Sequence, residues 1–183
     1  MCSTNCSMHF TRAKSSLGFT LIELLVVIAI IGVLAGTMIV IINPLEQLAR
    51  GRDAGRKTTV NQLGNALQGY YASQNSYPLQ SATWMGDLQS SGEIKTLPVN
   101  PTGAGYTIGC NTALTDQGGY CYRTDGTDAV VYARAESKSY ATTAKCAAGA
   151  IAWIVWSSAD GKSGLTCVSP STADPGPGLT GLK

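Results

Sequence analysis

Few side chains in this 183-residue sequence have the types and spacing that chemistry needs. The only histidine, His9, lies in a short basic opening segment. If residues 1–18 are removed, no histidine remains to act as a general base or to ligate a metal. Cys2 and Cys6 fall in the same segment, while Cys110, Cys121, Cys146 and Cys167 lie far along the chain. These four show no Cys-x-x-Cys spacing, whereas a four-cysteine zinc site normally has close pairs, so they read as disulfides in an oxidising compartment. Four cysteines permit three connectivities. Cys110–Cys121 with Cys146–Cys167 is favoured, because each pair clips one local loop or hairpin. Glu23 is the only charge between Leu21 and Ile42. A carboxylate in an apolar span is costly: on periodicity alone Glu23 either sits at the interface and snorkels into headgroups or finds a cation in a bundle of neighbouring helices.

Other clusters have plainer readings. Arg50-Gly51-Arg52-Asp53-Ala54-Gly55-Arg56-Lys57 is a solvated or headgroup-facing helix turn, with Asp53 and Glu46 as partners. It lacks the interleaved aromatic residues of a single-strand groove. Gly105–Gly109 lacks the Lys-Ser/Thr ending of a phosphate loop. The net charge of +2 disappears without residues 1–18: 13 basic residues less Arg12 and Lys14 leave 11, against 11 acidic. A neutral chain gives no electrostatic reason to expect nucleic acid as a partner. No catalytic constellation remains, and the chain is not expected to be an enzyme.

The elements that must position these residues follow from the patterning. Mean hydropathy is +0.08 with 13% charged residues, and the apolar excess is concentrated in residues 21–42. That length suits a membrane-spanning helix of about 20 residues and exceeds an ordinary secretory signal, and no Ala-x-Ala site follows it. Asn43-Pro44 predicts a kink. Leu45, Leu48, Val60, Leu63, Leu67, Tyr70 and Tyr71 continue at helical spacing, so residues 19–72 form one kinked rod of roughly 80 Å. Gly51, Gly55, Gly64 and Gly69 weaken it and predict a partly melted stretch near 43–56. Residues 79–109 look irregular, with Trp84, Leu88, Ile94 and Leu97 as core contributors. Residues 119–123, 129–135, 151–156 and 164–168 read as strands of an antiparallel meander packed on the rear half of the helix. Trp153, Trp156 and Tyr132 read as core. The Pro/Gly-rich tail, 171–183, is expected to be mobile.

Gly18-Phe19-Thr20-Leu21-Ile22-Glu23 and its apolar continuation resemble the prepilin signature of type IV pilins and type II secretion pseudopilins. The resemblance implies an α+β pilin fold, with a long kinked N-terminal helix packed on a small antiparallel sheet. It implies a leader, 1–18, cut by a prepilin peptidase between Gly18 and Phe19, with the Phe19 amine then methylated and Arg12 and Lys14 held on the cytoplasmic side. Glu23, fifth in the mature chain, would pair with the Phe19 amine of a neighbouring subunit. The Cys146–Cys167 pair would resemble the disulfide-bounded C-terminal region of many pilins. Asp160-Gly161-Lys162 with Gly164 resembles the calcium loop of the major pseudopilin. That loop has further acids, whereas here only Asp174 follows; calcium wants about 6–8 oxygens, so Asp160 is a weak metal candidate and no cofactor is expected.

On this reading the segments are the leader 1–18, the span 19–43, the amphipathic half-helix 44–72, the globular domain 73–170 and the tail. The partners are copies of the chain, the peptidase, a pilus or secretion assembly platform and, before assembly, the membrane. Basic residues number two before the span (Arg12, Lys14) and four after it (Arg50, Arg52, Arg56, Lys57), which would put the C-terminal side in the cytoplasm. The cysteines overrule that tendency and place it outside. The expected product is a major pilin, anchored in the inner membrane and then built into an extracellular filament. The alternatives are a pseudopilin and a bitopic membrane-anchored binding module.

Overall fold

The computed structural model describes residues 18–103, 106, 109–111, 116–140, 146–147, 149–169 and 173–182, with backbone only for 39–42. Cys2, Cys6, His9, Arg12 and Lys14 lie outside the described residues. The chain divides into two units, up to Asn43 and from Pro44 onward.

The first unit is helix α1, Leu21–Ile42. It has no polar face, which suits surroundings that are apolar on every side. It ends at Asn43, which takes the left-handed conformation (φ 44°) that asparagine tolerates better than most residues. Pro44 follows as the first residue of α2, where its missing N–H costs no helix bond.

The second unit is α+β. Helix α2, Pro44–Gln74, is followed by the short α3, Trp84–Ser90, of about two turns. Among the described residues five strands come next: β1 (Asp116–Gln117), β2 (Tyr120–Thr124), β3 (Ala129–Arg134), β4 (Ile151–Ser157) and β5 (Lys162–Val168). They pair antiparallel in sequence order, as a meander must when each turn joins neighbours. Alternation along the strands divides the core in two. Tyr120, Tyr122, Val131, Ile154 and Trp156 face α2 (Val60, Leu63, Ala66, Leu67) and α3 (Trp84, Met85, Leu88). Cys121, Val130, Tyr132, Trp153 and Val155 form a second cluster with Leu182. β4 lies inside the sheet between β3 and β5 and is covered on both sides, as its unbroken apolar run predicts.

Four expectations are corrected. The helix does not melt over 43–56: only Asn43 interrupts it, because side chains of the first turns of α2 are bonded into the globular unit. Residues 84–90 are helical rather than irregular, with Trp84, Met85 and Leu88 on the buried face. Leu97 is 42% exposed and not core. The described part of the tail, 173–182, is packed: Leu182 and Leu179 belong to the second cluster.

Candidate processing and assembly site

Residues 18–20 precede the first turn of α1, and Phe19 is 85% exposed. Thr20 is the N-cap, extended at φ −78° and ψ 148°. Its hydroxyl oxygen accepts the Glu23 backbone N–H at 3.3 Å, while Glu23 Oε2 accepts the Thr20 backbone N–H at 3.0 Å and the Thr20 hydroxyl at 2.8 Å. This reciprocal capping box satisfies backbone donors that a helix start leaves open, and it puts the carboxylate at the positive end of the helix dipole. A carboxylate held this way is partly compensated within its own chain, which lowers the cost of its position in an apolar span. Leu21–Met38 is long and apolar enough to cross a membrane. A Cβ at Gly18 would meet nothing within 4 Å, so no packing in the described structure requires glycine there.

The Thr-x-x-Glu spacing is a helix-start signal in its own right, and reading Glu23 only as a charge in an apolar run misses Thr20. Thr20→Val removes both hydroxyl bonds and is expected to cost about 1 kcal/mol of helix-start stability. The check is amide exchange at Glu23 in detergent micelles, expected to quicken about fivefold; an unchanged rate would mean the box contributes nothing.

The basic cluster is also corrected. Arg50 and Lys57 are exposed, but Arg56 and Asp53 are fully buried. They occupy the apolar stripe Ala49, Asp53, Arg56, Val60, Leu63, Leu67, so the period itself places two charges inside. Arg56 bonds Asp53 at 2.6 Å, Asn100 Oδ1 at 2.6 Å, Glu136 at 2.9 Å and the Pro101 carbonyl, and it lies 4.1 Å from the Tyr106 ring centroid. Asp53 accepts the backbone N–H groups of Glu136 and Ser137. Arg52 pairs with Glu136 through two bonds. That pairing holds the Glu136 carboxyl below its ordinary value against the opposing effect of burial, and Arg56 adds to it. Burial raises Glu46, but bonds from Ser137, Ser139, Lys138 and Arg50 outweigh it and leave its carboxyl lowered. These contacts clamp Glu46–Arg56 of α2 to residues 136–139 and 100–101.

The disulfides are Cys110–Cys121 and Cys146–Cys167, the local pairs favoured by spacing. Asp160 accepts the Leu182 N–H at 2.9 Å and lies 3.6 Å from Lys162, while Asp174 accepts the Asn111 N–H. Among the described residues no group of three His, Cys, Asp or Glu side chains is placed to hold a metal.

No curated protein and no solved structure matches the chain. Residues 13–39, spanning Gly18, Phe19 and Glu23, match the model of the prokaryotic N-terminal methylation motif, and the chain therefore carries the class III signal of type IV pilins and pseudopilins.

Proposed function

We propose that the chain is the precursor of a filament subunit, most simply the major subunit of a type IV pilus. Cleavage between Gly18 and Phe19 would free an amine next to the Glu23 carboxylate, and α1 would then leave the membrane for a bundle of its own copies. The observation that carries this reading is the methylation motif placed directly on a capped apolar helix with one carboxylate in its first turn. A helix that is apolar all round needs either lipid or equivalent helices about it. A membrane exchanged for a polymer satisfies that need twice over, and the role is structural. The stretch from Glu46 to Arg56, bonded into the globular unit, would carry load from the helix to the domain.

The test is N-terminal sequencing and intact mass of the protein from its native membrane or from shed filaments. The expected result is a chain beginning at Phe19, one methyl heavier than the sequence and lacking four cysteine hydrogens. A chain beginning at Met1 would overturn processing and turn attention to a membrane-anchored binding module. A Phe19 start found only in short, envelope-bound assemblies would favour a pseudopilin over a pilus.

A further inference from the structure

The C-terminal segment has no regular structure, yet its polar contacts fall at both ends. At the far end Leu182 donates its N–H to Asp160 at 2.9 Å, and the Leu179 carbonyl accepts from the Ser157 hydroxyl at 2.6 Å. At the near end both the Asp174 carboxylate and the Ala173 carbonyl accept from one residue, Asn111, at 3.0 Å each. Asn111 follows Cys110, whose disulfide to Cys121 fixes it against β2. The segment covers the sheet face opposite α2, where Leu182 packs into the cluster of Tyr132 and Trp153. The Trp153 Nε1–H is buried there without a hydrogen-bond partner among the described residues, so closure withholds water from a donor that would otherwise have it.

We infer that residues 173–182 are a strap locked by the Cys110–Cys121 disulfide, so that the outer sheet face is covered only in the oxidised chain. The lock works through position. With the bond formed, Asn111 is held where its backbone N–H and side-chain amide meet the strap; with two free thiols, Asn111 is tied to β2 by nothing covalent nearby. A disulfide-bearing oxidant takes up the two electrons and two protons that the thiols give up on joining. Until that happens the chain presents an aromatic patch to whatever it meets. The second disulfide, Cys146–Cys167, joins β5 to the segment before β4.

The test is hydrogen exchange on the full chain in detergent micelles, followed in the peptide that contains Leu182. Cys110→Ala/Cys121→Ala is expected to quicken strap exchange at least about tenfold while the β3–β4 ladder stays protected. Cys146→Ala/Cys167→Ala is expected to leave the strap near the wild-type rate. If the first variant loses the ladder as well, Asn111→Ala decides, since it removes one grip and leaves both disulfides: faster strap exchange with an intact ladder supports the lock. Unchanged strap exchange in Asn111→Ala or in Cys110→Ala/Cys121→Ala, or equal loosening by the other disulfide pair, would overturn it.

Discussion

Replacing Gly64 by alanine is expected to destabilise the globular unit by about 3 kcal/mol, although alanine is the better helix former by about 1 kcal/mol. A Cβ built at Gly64 would lie no farther than 2.5 Å from three atoms of the Trp156 ring, Cγ, Cδ1 and Cδ2. The ring cannot yield easily. Trp156 sits on β4, an interior strand, opposite Val131 on one side and Ser163 on the other, and is 1% exposed. Relief would require α2 to move off the sheet, loosening Val60, Leu63 and Leu67 with it. Gly51 and Gly55, on the same helix, meet nothing within 4 Å, so alanine there is expected to stabilise by about 0.5–1 kcal/mol each. One helix thus gives opposite signs for the same substitution. Urea unfolding of the full chain in micelles, followed by tryptophan fluorescence, reads this unit specifically, because Trp84, Trp153 and Trp156 all lie in it. Adding Trp156→Leu should make the alanine tolerable, giving a coupling of about 1–3 kcal/mol. A stabilised Gly64→Ala protein would show that the helix–sheet distance is not set by this contact.

What sequence reading reached and what it missed divide along physical lines. The apolar span, the amphipathic half-helix and the meander repeat along the chain at fixed periods, so composition and spacing suffice for them. The disulfides close loops of 11 and 21 residues, which makes local pairing the economical choice. Arg56 defeats such reasoning because its partner Glu136 lies 80 residues away, and no local pattern names it. A run of arginine, glycine and lysine looks solvated by composition, while the 4-3-4-3 spacing from Ala49 through Asp53 and Arg56 to Val60 and Leu63 says otherwise. Period outweighs composition there. The tail repeats the lesson. Proline and glycine forbid regular structure without forbidding packing: Pro175 is itself buried, and Leu179 and Leu182 join the second cluster. The same holds at the helix start, where the Thr20–Glu23 spacing was as legible as the charge.

Arg56→Met is expected to cost about 3–5 kcal/mol, the second large effect, by leaving buried carboxylates short of their cation. Arg56 is fully buried, and its bonds to Asp53, Asn100, Glu136 and the Pro101 carbonyl would all be lost at once. Methionine fills much of the aliphatic volume, so the loss is chiefly electrostatic and polar. Arg52 still pairs with Glu136, and backbone N–H groups still reach Asp53, which keeps the cost inside that range. The discriminating protein is the triple variant Arg56→Met/Asp53→Asn/Glu136→Gln. No fully buried charge is then left to compensate, and Arg52, which loses Glu136, is partly exposed and can turn to water, so the triple variant should recover part of the stability despite having fewer ion pairs. The pH dependence has a fixed sign. Glu136 is held below its ordinary value of 4.5 when folded, so its contribution is complete above that value. It is lost as pH falls through the lower folded value. Wild type should therefore weaken in acid more steeply than Glu136→Gln in the same unfolding experiment. A single variant costing under about 1 kcal/mol, or a triple variant no better than the single, would mean that this clamp on α2 is held by packing and not by its charges.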